Sequence, residues 1–221
     1  MFRPMELSLQ HVRALGVAFA ILASSSLPVL AQTAPPMTFE VMPVGNPAQC
    51  GSQCPRGVLA RGEIVSDTPE KFLQFIRAIG VRDPRMRAVI FIDSPGGLVV
   101  SSMRLGHMFR AMGAAAVVPR ECASACVYAL MGATRRVVPP QSRIVLHRMF
   151  AFERFGGTDG APASLQRTYS NKQLEAQLSQ YARRMGVSAD VIRSAESIRP
   201  EGIKVASQAE LRRWRLSVPN L

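Results

Sequence analysis

Short apolar segments alternate with amphipathic segments through the middle of the chain, and this alternation constrains the fold more than any other feature. The segment AVIFI at 88–92 contains no polar residue, which is typical of a strand buried on both faces. A second apolar segment, AAAVV, follows at 114–118. Buried strands separated by helix-length segments predict an α/β fold with a parallel sheet.

The boundaries of the predicted elements follow from periodicity and from turn residues. We predict strands at 57–64, 88–92, 114–118, 135–140 and 143–147, and helices at 66–80, 99–112, 124–133 and 165–185. The last helix is the longest and amphipathic, and Gly186 stands where a helix C-terminal cap is expected. The Gly- and Ala-rich segment 151–164 is predicted to be a loop.

The first 31 residues have the composition of a secretory signal. Arg3 and Arg13 precede or flank the start of an apolar run, and small residues allow cleavage after Ala31. We therefore predict a signal peptide over 1–31 and a periplasmic or secreted protein. An uncleaved membrane anchor is the alternative, but three serines and Pro28 interrupt the apolar run.

The remaining chain is long enough for one domain but short for two. Residues 32–49 are rich in proline and polar residues and predict a flexible tether, which leads into a single domain over 50–221. The formal charge of +12 is spread along the chain and no nucleic-acid-reading motif is present, so we interpret the charge as a solvated surface and predict no nucleic-acid partner.

The four cysteines form two pairs with three residues between the members of each: Cys50 with Cys54, and Cys122 with Cys126. Such spacing also suits a four-thiolate zinc site. Export favours disulfides instead, so we predict disulfides and no metal. Three pairings are possible, and the sequence does not select one. Cys122 and Cys126 can bridge each other, remain buried thiols, or bridge to the first pair.

Three motifs occur in order: DSPGG at 93–97, CASAC at 122–126 and SRIVLH at 142–147. With this order and spacing, residues 57–217 resemble the Clp protease proteolytic subunit and the wider crotonase-like group, and most closely exported bacterial proteins of that kind with a Cys-x-Ser-x-Cys motif. The resemblance implies a Clp-peptidase-like domain with a repeated β-β-α spiral core, a parallel sheet and a long helix in the C-terminal half.

The resemblance implies that Ser124 is the nucleophile and His147 the base. A serine hydroxyl is a weak nucleophile at neutral pH and needs a neighbouring base, most often histidine. Beyond the predicted signal only His107 and His147 are available, and His107 lies inside a predicted helix. Packed histidines at strand ends are the alternative interpretation of His147.

The same resemblance assigns the groups that hold the substrate. The backbone N–H groups of Gly97 and Ala125 would stabilise the oxyanion, and the segment through Gly96, Gly97 and Leu98 would pair with the substrate backbone. Glycine at 97 suits a close backbone approach. Ser124 at a helix start would also gain from unpaired N–H groups.

The orienting acid of the family has no direct counterpart. Its expected position falls on Gly202 or Ile203, neither of which can orient an imidazole. Glu201 is the nearest acid and our predicted orienting residue, whereas Glu196 and Asp190 are more distant. A Ser/His dyad and an eroded site are the alternatives; orienting acids contribute up to roughly ten-thousand-fold in rate.

We therefore predict an exported serine hydrolase, a peptidase that acts without a cofactor on short or unfolded polypeptides. Exported compartments lack ATP, so no ATP-driven unfoldase is expected as a partner. An apolar stripe on 165–185 predicts a homo-oligomer, with packing inside the chain as the alternative. A catalytically eroded scaffold that serves as a binding or assembly module is the alternative function, and acyl-CoA chemistry is disfavoured because exported spaces offer no CoA pool.

Overall fold

Parallel strands with helices between them form the centre of the molecule. The computed structural model describes residues 34–80, 83–155, 164–169 and 172–218. The strands are β1 (Thr38–Pro43), β2 (Arg56–Arg61), β3 (Met86–Asp93), β4 (Ala115–Val117), β5 (Glu121–Ala123), β6 (Arg135–Val137), β7 (Arg143–Leu146), β8 (Phe150–Phe155), β9 (Ser164–Tyr169) and β10 (Lys204–Val205). The α-helices are α1 (Pro47–Cys50), α2 (Thr68–Gly80), α3 (Val99–Ala111), α4 (Cys126–Gly132), α5 (Lys172–Arg184), α6 (Asp190–Glu196) and α7 (Gln208–Arg213).

The main sheet has five strands in the order β1-β2-β3-β4-β6. Strands β2, β3, β4 and β6 pair in parallel, and β1 joins the edge antiparallel to β2. Ile90 and Ile92 of β3 are fully buried, whereas Val89 and Phe91 are half-buried and Ala88 is exposed. The strand predicted at 88–92 is therefore present, but it is fully buried on one face only. The predicted α/β fold with a parallel sheet is confirmed.

A second sheet of three strands has the order β10-β7-β5. Strands β5 and β7 are parallel, and β10 is antiparallel to β7. An isolated parallel bridge between Ser94 and Cys122 connects the end of β3 to β5. The two sheets therefore meet where the DSPGG and CASAC motifs lie.

Helices α3 and α4 pack with their backbones in contact. A Cβ atom on Gly132 would lie 2.0 Å from the carbonyl oxygen of Gly106, so only glycine fits there. The hydroxyl of Tyr181 on α5 donates to the carbonyl oxygen of Tyr128 on α4 at 2.8 Å. Helix α4, which begins two residues after Ser124, is thus fixed from two sides.

The prediction of a flexible tether over 32–49 is wrong for the residues that the structure describes. All six residues of β1 pair with β2, Met37 is only 2% exposed, and the Phe39 ring lies 5.3 Å from that of Phe72 on α2. Composition does not predict this strand, because an edge strand is stabilised by hydrogen bonds and packing with segments that are distant in the sequence.

The segment after β7 also differs from the prediction. Residues 151–155 and 164 of the predicted loop, and residues 165–169 of the predicted long helix, lie in an antiparallel strand pair, in which β8 pairs with β9 from Phe150–Tyr169 to Phe155–Ser164. Residues 156–163 lie outside the described residues. The helix that follows, α5, therefore starts at Lys172, seven residues later than predicted, and its Gly186 cap has the expected positive φ of 71°.

The apolar stripe predicted on this helix packs within the chain over its second half. Leu178 and Tyr181 are at most 3% exposed and belong to the hydrophobic core, whereas Tyr169 lies in β9. The alternative of packing inside the chain therefore accounts for these side chains.

The predicted signal peptide over 1–31 lies outside the described residues. Within the ranges that the structure does describe, no helix has both the length and the apolar character needed to cross a bilayer.

Candidate active site

Ser124 lies on a tight turn between β5 and α4. Its φ is 54°, in the left-handed region that non-glycine residues rarely adopt. Two hydrogen bonds hold the turn: Ala123 N–H donates to the Ser94 carbonyl at 2.9 Å, and Ser124 N–H donates to the Val145 carbonyl at 2.9 Å. The second bond fixes Ser124 to β7 two residues before His147.

The DSPGG turn packs directly against the turn that carries Ser124. A Cβ atom on Gly96 would lie 2.7 Å from Ser124 Cβ, and Gly96 has a φ of 111°. Gly96 N–H donates to Ser94 Oγ at 3.1 Å, and its carbonyl accepts from Ile64 N–H at 2.7 Å. Glycine at this position is therefore required both by the backbone conformation and by the neighbouring serine.

Two backbone N–H groups next to Ser124 lack a hydrogen-bond acceptor within the described part of the chain. Among the described residues, neither the N–H of Gly97 nor that of Ala125 donates a hydrogen bond within the protein. The two groups lie on adjoining segments, because a Cβ atom on Gly96 would be 3.1 Å from Ala125 N. Unpaired backbone N–H groups are uncommon in folded proteins, and such a pair can bind an oxyanion.

His147 follows the last residue of β7 and is half-buried. Its Nδ1 lies 2.7 Å from the carbonyl oxygen of Arg148. A carbonyl oxygen can only accept, so Nδ1 carries the proton and Nε2 of the neutral ring is left as the proton acceptor. The imidazole also packs against the Phe150 ring, with 5.3 Å between centroids. This tautomer suits a general base that acts through Nε2.

The other candidate histidine has a different environment. His107 is exposed on α3, and its ring makes an edge contact with Tyr181 at 5.4 Å between centroids. It is not among the residues that line the clefts around Ser124. The sequence-based preference for His147 as the base is consistent with this placement.

Ser124 and His147 line the same open cleft, which has a volume of about 790 Å³. Gly97, Leu98 and Tyr169 also contribute to its walls, and Leu98 is 52% exposed. The predicted nucleophile, base, oxyanion donor and substrate-pairing segment are thus brought together around one space.

A second, much smaller pocket of about 20 Å³ shares Ser124, His147 and Met149 with the open cleft. Its other lining residues are apolar apart from the Tyr128 hydroxyl: Ala125, Val127, Tyr128, Met131, Leu146, Val191, Ile192 and Ala195. The pKa of the Tyr128 hydroxyl is raised, mainly because the group is buried and to a smaller extent by the negative charge of Glu196. The contribution of α6 to the site was not predicted from the sequence, although the apolar spacing of Val191, Ile192 and Ala195 was a visible signal.

A buried carboxylate supports the head of the DSPGG turn. Asp93 is 4% exposed, and its carboxylate pairs with Arg61 Nε at 3.2 Å and with Arg120 Nε at 3.0 Å. Arg61 ends β2 and Arg120 directly precedes β5, so the Arg120 ion pair connects the end of β3 to the start of β5, the two strands that lead into the site.

The structure does not bring Glu201 to His147. The Glu201 side chain is 80% exposed, and its carboxylate accepts hydrogen bonds from Arg167 at 2.8 Å and from Tyr169 at 3.1 Å. Among the described residues, the partner of His147 Nδ1 is the Arg148 carbonyl. Glu201 is drawn away because a guanidinium and a phenol on β9 satisfy its oxygens at the surface.

The cysteines form two local disulfides. Cys50 bridges Cys54 with a Cα–Cα distance of 4.9 Å, and Cys122 bridges Cys126 with 5.4 Å. Of the pairings that the sequence left open, the structure has the one in which each cysteine bonds to the cysteine four residues away. The second bridge closes a loop with Ser124 at its centre.

A parallel α/β core that carries a serine on a tight turn, beside a histidine and unpaired backbone donors, defines a serine hydrolase of the α/β class. Within this class, the sequence also identifies a family. The sequence profile of the Clp protease family matches residues 54–193. The chain belongs to the Clp protease family, whose members are serine-type peptidases.

Solved structures share the fold. A variant of the 1510-N membrane-bound stomatin-specific protease is 16% identical, with 70% of this chain and 73% of that chain covered and a TM-score of 0.50. ClpP1 from Listeria monocytogenes is 18% identical, with 75% and 92% covered and a TM-score of 0.51. At these identities the likeness concerns the fold. No curated protein matches the chain in sequence.

Proposed function

We propose that this protein is a peptidase that cleaves short or unfolded polypeptides through an acyl-enzyme on Ser124. The observation that best supports the proposal is the shared cleft, in which Ser124 and His147 face one space beside the unpaired N–H of Gly97. Membership of a serine peptidase family supports the same reaction class.

The reaction follows from the arrangement of these groups. Ser124 Oγ attacks the scissile carbonyl carbon while its proton passes to Nε2 of His147. The N–H groups of Gly97 and Ala125 hold the oxyanion that forms. His147 then gives its proton to the departing amine, and a water molecule repeats the sequence to release the acyl group and restore Ser124.

The substrate would lie extended along the DSPGG turn. Gly97 and Leu98 are exposed on the cleft side, while the Leu98 N–H is already used by the Ile64 carbonyl at 2.8 Å. The small apolar pocket beside Ser124 would accept the side chain that precedes the cleaved bond. An open cleft of about 790 Å³ accommodates an extended segment more readily than a folded domain.

Export and assembly form part of the same proposal. A signal peptide over 1–31 would place the enzyme in the periplasm or outside the cell, where no ATP-driven unfoldase can feed it. Substrates must then be short or already unfolded. Proteins of this family form oligomers and act on peptides, and we propose self-association for this chain as well, to be checked by light scattering.

The direct test is active-site labelling with a fluorophosphonate probe. Wild-type protein should be labelled, whereas Ser124→Ala should not, because the probe forms its bond with an activated serine. His147→Ala should label far more slowly than wild type, and His107→Ala should label at the wild-type rate. Equal labelling of wild type and Ser124→Ala would contradict the assignment.

A binding or assembly module is the second candidate function. It is favoured by one observation: among the described residues no carboxylate is hydrogen-bonded to His147. Absence of labelling in wild type, together with equal binding of an unfolded polypeptide by wild type and Ser124→Ala, would select this candidate over the peptidase.

A further inference from the structure

The peptide group that joins Arg148 to Met149 is hydrogen-bonded at both ends. Its carbonyl oxygen lies 2.7 Å from Nδ1 of His147. Its N–H donates to a carboxylate oxygen of Glu196 at 3.2 Å. One amide group therefore connects the imidazole of the proposed base to a carboxylate.

The two hydrogen bonds run in the same direction, from the imidazole through the amide group to the carboxylate. The carboxylate accepts from the amide N–H, and the amide carbonyl accepts from the imidazole N–H. Hydrogen bonds in such a series polarise one another, so a negative charge at one end strengthens the acceptor at the other. A more negative Arg148 carbonyl favours a proton on Nδ1 and stabilises a positive imidazole.

We infer that Glu196 is a positioning residue that holds His147 in the tautomer required of the base, through the Arg148–Met149 peptide group. The inference rests on the proposed function of His147. No proton leaves either nitrogen in this arrangement: Met149 keeps its amide proton and Nδ1 keeps its own, while Nε2 exchanges a proton with Ser124 and the leaving amine.

The surroundings of Glu196 suit this role. Its side chain is 10% exposed, and its second oxygen lies 3.8 Å from Arg148 Nε, so it contacts Arg148 as well as Met149. Helix α6 is held by Val191 and Ile192, which are at most 2% exposed. A carboxylate on a packed helix keeps a fixed position, in contrast to Glu201 at 80% exposure.

The charge of Glu196 also influences Tyr128, which lines the small pocket beside Ser124. It contributes, after burial, to the raised pKa of Tyr128, whose ring lines the small pocket together with Ser124 and His147. Glu196 thus acts on groups around the proposed base although it is not itself among the residues that line either cleft.

The test combines turnover of a peptide with the ¹⁵N NMR signals of His147 in the full-length protein, assigned as the signals that a His147→Gln variant lacks. In wild type we expect a protonated Nδ1 and an unprotonated Nε2 when the ring is neutral. Glu196→Ala should show a mixture of tautomers and a kcat that is about tenfold to a hundredfold lower, with KM within about twofold of wild type.

Glu196→Gln separates the charge from the hydrogen bond. The amide oxygen can still accept from Met149 N–H, so the Nδ1–H tautomer should persist while kcat falls by about tenfold or less. Asp190→Asn is the matched control on the same helix, since Asp190 bonds to Ser188 and Arg193; it should retain wild-type tautomer and kcat.

A folded Glu196→Ala protein with wild-type tautomer and kcat would overturn the inference. If that variant does not fold, Glu196→Leu is the second variant, because leucine fills a similar volume but accepts no hydrogen bond from Met149 N–H; a folded Glu196→Leu protein with wild-type tautomer and kcat would overturn the inference equally. Failure of the proposed function is distinguishable, because it would appear as a wild-type protein without Ser124-dependent turnover, whereas the tautomer measurement still reports on Glu196.

Discussion

Cys122 and Cys126 are joined by a disulfide, and Ser124 is the central residue of the loop that this bond closes. Cys50 and Cys54 form a bridge of the same sequence separation far from the cleft. The chain-entropy contribution of the two bridges is therefore equal, about 2 kcal/mol for each, and they differ in what lies inside the loop.

This difference predicts separate effects on stability and on activity. Cys122→Ala/Cys126→Ala should lose at least tenfold in the rate of fluorophosphonate labelling, because the Ser124 turn loses its covalent brace. Cys50→Ala/Cys54→Ala should lower the free energy of unfolding by about 2 kcal/mol and leave the labelling rate of the folded protein unchanged. Equal labelling rates in the two folded variants would contradict a specific role for the first bridge.

The backbone of Ser124 predicts a conflict between stability and activity. A non-glycine residue at a φ of 54° costs about 1–2 kcal/mol relative to glycine. Ser124→Gly should therefore be inactive but more stable than wild type, with a melting temperature about 2–8 °C higher. Ser124→Ala is the control, since it is inactive yet retains the strained φ. A Ser124→Gly protein no more stable than Ser124→Ala would show that the turn is unstrained.

Gly97 is predicted to be irreplaceable. A Cβ atom there would lie 2.1 Å from the Ile64 carbonyl oxygen, at a φ of 133°. Gly97→Ala should lower the free energy of unfolding by more than about 2 kcal/mol and abolish labelling. Gly113→Ala is the matched control, because Gly113 has a φ of 63° but open space around it, and it should cost only about 1–2 kcal/mol. Similar losses in the two variants would contradict the clash.

Glu210 should make stability depend on pH in the acid range. Hydrogen bonds lower the pKa of its carboxyl from 4.5 to about 2; the bond from Lys204 has the largest effect and the bond from Ser207 the next. A lowered folded-state pKa stabilises the fold above pH 4.5, and the contribution is lost as the pH falls from there towards 2. Glu210→Gln should cost about 1 kcal/mol at pH 7, given its position near the surface, as measured by denaturant unfolding. A difference from wild type that stays constant down to pH 2 would contradict this account.

The small pocket predicts which peptides are cut fastest. A volume of about 20 Å³ lined mainly by apolar side chains suits a methyl-sized group and is too small for the long charged side chain of lysine. Among peptides that differ only in the residue before the cleaved bond, alanine should exceed lysine in kcat/KM by about tenfold or more. Lysine peptides that are cut as fast as alanine peptides would show that another space receives this side chain.

Much of the fold was predictable because its signals are local. The apolar run at 88–92 and the Gly186 cap depend on a few neighbouring residues, and both occur where the sequence places them. The motifs around Ser124 and His147 carry their own turn chemistry, so the tight turn at Ser124 and the strand before His147 occur where the sequence places them.

The remaining features depend on partners that are distant in the chain. Strand β1 exists through its pairing with β2, and β9 exists through its pairing with β8, so neither has a strong signal of its own. Counting residues towards a missing aspartate led to Glu201. The carboxylate connected to His147 is Glu196, and only the packing of α6 beside the end of β7 reveals that connection.

The site is divided between two sheets: the Gly96–Gly97 turn extends β3 of the larger sheet, and Ser124 and His147 extend β5 and β7 of the smaller one. A chain in which only the smaller sheet has formed has Ser124 and Ala125 without Gly97, and a chain in which only the larger sheet has formed has Gly97 without the serine. The proposed peptidase activity therefore requires both sheets to be in place, and we expect a partly folded chain to have none.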